Sequence, residues 1–177
     1  NSNYNTISKN NITDSSFSGV YLWDSANHNN ISANTIANNN DGIYLGWTSG
    51  NSVSANTITN SQYGIDLADS FGNSVSGNNI TNNQDGIIVS FSSSNNVISG
   101  NNITNNHNGI HVVGSSGNSI SGNNITGSTV YGIIFSGASS NNIVYHNDFI
   151  GNAQQAHVTP NYNNTWDNGY PSGGNYW

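Results

Sequence analysis

Apolar side chains return along this chain in a fixed phase, about every 22 to 24 residues. The stretch from Asn78 to Gly100, NNITNNQDGIIVSFSSSNNVISG, is the fullest copy of the unit. One apolar column runs Ile12, Ile36, Ile58, Ile80, Ile103, Ile125, Phe149. A second runs Val20, Ile43, Ile65, Ile87, Ile110, Ile133 and closes at Ala156. A third is Leu22, Leu45, Leu67, Val89, Val112, Phe135, Val158. The fourth is Ile7, Ile31, Val53, Val75, Ile98, Ile120, Val144, with Trp166 in phase as its last member. The second and third columns alternate as apolar-x-apolar, the period of a strand with one buried face, and most members are β-branched.

A period in this range marks a solenoid, because one unit alone buries almost nothing and stacked units share a core. Three short strands per unit, separated by bends, predict an all-β, single-stranded parallel β-helix of about seven rungs. Parallel crossovers set its hand as right-handed. At ~4.8 Å per rung the rod is about 34 Å long. The helix is expected over residues 1–166. Residues 167–177 leave the period, are rich in aromatics, and read as a cap on the open core or the start of a linker. The first rung carries no comparable cap, which fits either removed upstream sequence or a second subunit stacked there.

Polar columns accompany the apolar ones. One is Asn5, Asn29, Asn51, Asn73, Asn96, Asn118, Asn142, with Asn164 in phase; another is Asn10, Asn34, Asn56, Asn78, Asn101, Asn123, Asn147. Each stands two residues before an apolar column, at a bend. An amide offers both donor and acceptor, so stacked copies bond up the axis, and Asn tolerates a left-handed bend. These columns are scaffold. The column Gly19, Gly42, Gly64, Gly86, Gly109, Gly132 predicts either positive φ or close backbone approach; Gln155 takes its place in the last turn.

Asn fills about one position in five, charged residues only 5%, and the formal charge is −7 with Lys9 as the one basic residue. Such a composition can signal disorder, but the fixed register argues against it. With a single Lys and no Arg, the chain has too little positive charge for nucleic acid or an anionic membrane as a partner. The absence of Cys removes disulfides and thiolate metal sites. No apolar run approaches the length of a membrane span and no leader precedes the first repeat, so the chain reads as a mature product or an excised domain.

Units of the form N-x-I-S-G-N-N-I-T-N-N-x-x-G-I resemble the right-handed β-helix repeats of the NosD-like group, also described as carbohydrate-binding and sugar-hydrolase domains. The match runs from Asn5 to about Asn164. The closing TWDNGYPSGGNYW is similar to the block that ends such repeats in archaeal surface proteins. The resemblance implies an exported, cell-surface β-helix. The copper label of the family does not transfer, since Met and Cys are absent and the five His share no column.

Candidate chemistry sits on the outward positions of the second strand. Tyr21, Tyr44, Asp66, Ile88, His111 and Ile134 point out, with Trp23, Trp47, Asp69, Phe91 and Val113 beside them. Such a band suits a partner or a sugar ring; its bland counterpart is a face of β-prone aromatics covered by the following turns. Asp66 and Asp69, with Asp24, Asp41 or Asp85, are candidates for a glycosidase carboxylate pair. Asp66 and His111 lie two turns apart, ~10 Å, too far for direct contact. A polysaccharide lyase lacks its basic groups. Calcium at the Asp-rich turns has no loop pattern behind it, and no cofactor is expected.

The first-strand face carries Thr and Asn in rows, which raises ice binding; only Thr57 and Thr59 form a full Thr pair. Sequons start at Asn11, Asn30, Asn79, Asn102, Asn124 and Asn163, too closely stacked for all to carry glycans. The sequence therefore reads as an extracellular structural or adhesive unit of an archaeal envelope, without enzymatic activity. Its expected partners are copies of itself or neighbouring envelope proteins. A carbohydrate-binding module is the alternative, and a sugar hydrolase is the third reading.

Overall fold

The computed structural model describes residues 2–160 and 162–177, a coil of twenty-one strands. Rung one lays down β1 (Thr6–Ser8), β2 (Asn11–Thr13) and β3 (Ser18–Trp23). Rung two adds β4 (Asn30–Ser32), β5 (Thr35–Ala37) and β6 (Asp41–Gly46), and rung three β7 (Ser52–Ser54), β8 (Thr57–Thr59) and β9 (Tyr63–Ala68). Rung four has β10 (Ser74–Ser76), β11 (Asn79–Thr81) and β12 (Asp85–Ser90). Rung five has β13 (Val97–Ser99), β14 (Asn102–Thr104) and β15 (Asn108–Val113). Rung six has β16 (Ser119–Ser121), β17 (Asn124–Thr126) and β18 (Tyr131–Ser136), and rung seven β19 (Ile143–Tyr145), β20 (Asp148–Ile150) and β21 (Gln154–Val158).

Equivalent strands pair in parallel, giving three seven-stranded sheets. The sheets that begin at β1 and β2 are narrow; the one from β3 to β21 is wide. Like residues lie on like. Ile58, Ile80 and Ile103 pair in register and are fully buried, as are Ile65, Ile87 and Ile110 across the wide sheet. The four apolar columns thus fill one continuous core.

Corners follow one recipe: a residue with positive φ, then a buried polar residue. Ala55, Gly77 and Gly100 take φ of 54°, 63° and 63° just before Asn56, Asn78 and Asn101. The left-handed residue is therefore the one before the ladder Asn, not the Asn itself. Asn101 shows what the ladder residue does instead. Its Oδ1 accepts from the Asn78 N–H at 3.0 Å and Nδ2 at 2.9 Å. Its Nδ2 donates to Asn123 Oδ1 at 2.9 Å and to the Val75 carbonyl at 3.0 Å. This satisfies backbone groups that the bend removes from the sheets.

Two more ladders stand at the remaining corners. Entering the wide sheet, the Asn39 N–H donates to Ser61 Oγ, that of Ser61 to Asn83 Oδ1, and that of Asn83 to Asn106 Oδ1. Leaving it, the Thr48 N–H donates to Ser70 Oγ and that of Ser70 to Ser93 Oγ. The Gly column keeps negative φ; close approach is the reason for it. A Cβ on Gly42 would lie 2.5 Å from the Gly64 carbonyl oxygen and 2.6 Å from Ile58 Cγ2.

The tail does not abandon the coil. Asn164 and Asn175 each accept from the Asn ladders, although eleven residues separate them against five between Asn142 and Asn147. Thr165 bridges to Ile143 and Tyr176 to Asp148, with the stretch between them looped outward. Trp166 meets Phe135 edge-on at 5.8 Å, and Trp177 stacks on Phe149 at 4.9 Å. Two indoles so cover the last two core phenylalanines.

Candidate functional site

The outward face of the wide sheet carries three side-chain columns, set by the in-register pairing of its strands. The middle one reads Tyr21, Tyr44, Asp66, Ile88, His111, Ile134. To one side stand Asp41, Tyr63, Asp85 and Asn108; to the other Trp23, Gly46, Ala68, Ser90, Val113 and Ser136.

Rungs one and two form an aromatic shelf. Tyr21 stacks on Tyr44 at 5.1 Å and on Trp23 at 6.0 Å, and Trp23 meets Trp47 at 4.3 Å. Phe17 closes the edge against Tyr21 at 5.3 Å. Gly46 makes the shelf flat. A Cβ there would come 2.5 Å from both the Trp23 and Tyr44 rings. Trp47 sits at the turn with φ 51° and remains half-exposed. The Tyr44 hydroxyl is pushed up to about 12, by burial first and then by the charge of Asp66, so it stays a donor.

Below the shelf the face drops into a cleft of about 340 Å³ lined by Tyr63, Asp66, Ile88, Ser90, Phe91, Ser92, Val113 and Gly114. An insertion makes it. Ala68 pairs with Ser90, and the Ser70 N–H reaches Ser93 Oγ, so one residue spans the lower turn where Phe91 and Ser92 span the next. Both inserted-turn residues take positive φ, 52° and 63°, and Phe91 is thrown outward as a wall, 69% exposed.

Asp66 lies at the cleft floor, 9% exposed, and its Oδ1 has no hydrogen-bond partner. Burial pushes its carboxyl up to about 7, and the charges of Asp41 and then Asp85 add to the rise. Asp41 is itself raised by burial, against bonds from Ser18 Oγ at 2.9 Å and Asn40 Nδ2 at 3.1 Å. A buried, underpartnered acid near neutrality is a hydrogen-bond donor to a ligand.

The expected residues divide accordingly. Tyr21, Trp23, Tyr44 and Trp47 come together in the shelf, while Asp66 and Phe91 share the cleft. Asp69 is exposed at a turn with φ 49°, away from the cleft lining. His111 turns from Asp66 to Asp85: Nδ1 lies 3.1 Å from Asp85 Oδ2, and Nε2 lies 2.9 Å from Ser136 Oγ. Asp85 Oδ1 accepts from Asn108 Nδ2 at 2.7 Å. The roles of Tyr63, Asp85 and Ser136 were not legible beforehand, because only the pairing register shows which outward neighbours meet diagonally. All six sequon asparagines are exposed; Asn79, Asn102 and Asn124 bond to one another along the sheet at 2.9 Å.

The comparisons with known proteins agree with this architecture. The family model described as periplasmic copper-binding protein (NosD) matches residues 1–177. No curated protein matches. Among solved structures, the periplasmic alginate epimerase AlgG is similar at 20% identity and TM-score 0.81, over 88% of this chain and 42% of that one. The alginate lyase from Paenibacillus sp. str. FPU-7 aligns at 17% identity and TM-score 0.64, over 94% and 78% of the two chains. The enzymatically active domain of Bacteriophage CBA120 tailspike protein 2 aligns at 17% and 0.69, over 89% and 27%. At these identities the likeness is one of fold, and this chain spans less than half of the epimerase.

The donors that a copper ion takes are not gathered into one site among the described residues. Among the described residues no three His, Cys, Asp or Glu side chains converge, and the chain has no Cys or Met. His111 is engaged by Asp85 and Ser136, and His146 by the Ser172 carbonyl. The residues present do not fit a bound copper ion, soft or imidazole-rich as its ligands are.

Proposed function

The chain belongs to the NosD family, and from that premise we propose that it is an exported β-helix that holds a neutral polysaccharide along the outward face of its wide sheet. The observation that carries this reading is the continuity of shelf and cleft. Stacked rings from Phe17 to Trp47 lead directly to a pocket with an apolar wall, Ile88, Phe91 and Val113, and one carboxyl donor, Asp66. Sugar rings pack their C–H faces on aromatic planes, and hydroxyls suit a neutral carboxyl.

The solved neighbours whose names specify alginate act on a polyuronate. This face favours a different charge. Asp41 and Asp85 lie along it, and the single cation of the chain, Lys9, belongs to the bend between the narrow sheets. A uronate chain would meet like charge with nothing to offset it. The periplasmic descriptions of the family and of the epimerase support a location in the cell envelope or beyond it. The closing TWDNGYPSGGNYW block is the support for an archaeal surface and for the carbohydrate-binding type of repeat.

Tryptophan emission is the test. Neutral cello-, manno- and N-acetylchito-oligosaccharides are titrated in turn, with alginate oligosaccharides as the acidic comparison. A neutral series should change the emission, and Trp47→Ala should weaken binding about tenfold, the loss of ~1.4 kcal/mol of stacking. No response to any neutral series removes the reading.

A structural or adhesive role through end-to-end stacking is the second reading. It is favoured by the repeat itself: each strand pairs in parallel with its equivalent one rung on, so a further copy can add rungs by the same pairing. Sedimentation velocity at rising concentration should then show growing species, and a strict monomer at high concentration counts against it.

A further inference from the structure

The wide sheet holds a second constellation that saccharide binding leaves unused. Asp85, His111 and Ser136 lie on three successive rungs and cross the face diagonally. Among the described residues this is the one contact between a histidine and a carboxylate. Asp85 is nearly buried, its side chain 6% exposed, and its second oxygen is fixed by Asn108. An ionised carboxylate only accepts, so His111 Nδ1 carries the hydrogen and Nε2 presents a lone pair to the Ser136 hydroxyl. The imidazole lies in the ladder between Ile88 and Ile134, which restricts its rotation. Ser136 is only half-buried, and it pairs with Val113, a wall of the cleft.

We propose that Ser136 is a nucleophile toward uncharged carboxylic esters, with His111 as its general base and Asp85 as the positioning residue. Ser136 Oγ bonds to the ester carbonyl carbon while its proton passes to His111 Nε2. The tetrahedral adduct collapses, the bond to the alkoxy oxygen breaks, and Nε2 returns the proton to the departing alcohol. Water then attacks the acyl-serine through the same base, releasing the carboxylic acid and restoring Ser136. Asp85 holds the tautomer that the first step requires. That the ester is an O-acyl group on a saccharide rests on the reading above; the relay itself does not. The substrate is uncharged because the acidic face repels anions.

Covalent labelling tests the relay without any glycan. The folded protein is treated with a fluorophosphonate probe and mapped by peptide mass spectrometry. One label on Ser136 is expected, lost in Ser136→Ala and His111→Asn at unchanged thermal melting. Hydrolysis of p-nitrophenyl acetate should fall to background in Ser136→Ala and on the order of a hundredfold or more in Asp85→Asn, with partial recovery in Asp85→Glu. A hydroxyl that merely braced the sheet would take no label. The proposal is overturned if the parent protein stays unlabelled, or if the label appears elsewhere and survives Ser136→Ala. The probe and the ester carry no saccharide, so failure of glycan binding and failure of the relay are told apart.

Discussion

Truncating one rung of an asparagine ladder, Asn101→Ala, isolates the interaction that closes each corner. The side chain makes four hydrogen bonds, two accepted from Asn78 and one donated to each of Asn123 and Val75. Not all of their partners are stranded by its loss. Asn78 Nδ2 keeps the carbonyls of Val53 and Ser76, and Asn123 Oδ1 still accepts from the Asn101 backbone N–H. Two groups lose this partner inside the corner, the Asn78 N–H and the Val75 carbonyl. At ~1–3 kcal/mol each the substitution costs about 4 kcal/mol. The adjacent Asn102→Ala is the control, because its amide bonds to Asn79 on the exposed face and its loss should cost under ~0.5 kcal/mol. Urea unfolding followed by far-UV circular dichroism gives both numbers, provided the two variants keep the parent's slope. Equal and small losses in the two variants would refute the claim that the buried ladder holds the corners.

Asp66 should make stability fall with rising pH. Its folded value of about 7 lies well above that of an ordinary aspartate, so between about pH 4 and pH 7 the folded protein holds a proton that the unfolded chain has released. The slope is negative there and flat above it. Asp66→Asn should gain up to about 4 kcal/mol over the parent at pH 8, from about three units at ~1.4 kcal/mol each, and nothing at pH 3. Equal gains at both pH values would contradict this. Gly86→Ala should cost about 3 kcal/mol, since its Cβ would lie 2.6 Å from the Gly109 carbonyl oxygen and 2.9 Å from Ile103 Cγ2. Gly77→Ala, with φ 63° and open space around it, should cost only about 1 kcal/mol of backbone strain. Differential scanning calorimetry ranks the two, and a reversed order would remove close packing as the reason for the column.

The fold was legible because stacking turns sequence spacing into contact. Ile58, Ile80 and Ile103 share a phase in the chain and therefore share a pile in the core. The same logic found two ladders and missed two. Asn39, Ser61, Asn83 and Asn106 mix amides with a hydroxyl, and Thr48, Ser70 and Ser93 contain no Asn, although every member solves the same bend. The register of the tail is hidden for a related reason. Asn164 and Asn175 fill ladder positions across an excursion that destroys their spacing, and only the paired backbone restores the register. At the site, the outward columns gave Tyr21, Tyr44, Asp66 and His111 directly. Periodicity says nothing about diagonals, however, and the Asp85–His111–Ser136 line runs diagonally. Nor could it show that one inserted residue at Phe91 would open a cleft over Asp66, since an insertion reads first as noise in the repeat.

The central claim is that ligand lies on the wide sheet and nowhere else on the rod. Methyl NMR of isoleucine and valine, with the neutral oligosaccharide that most changes tryptophan emission, tests it most directly. Ile88, Ile134 and Val113 should shift on titration. Val97 and Ile143, which are 43% and 40% exposed on a narrow sheet, should not. Shifts at Val97 and Ile143 with Ile88 unmoved would put the ligand on the wrong face and contradict the account.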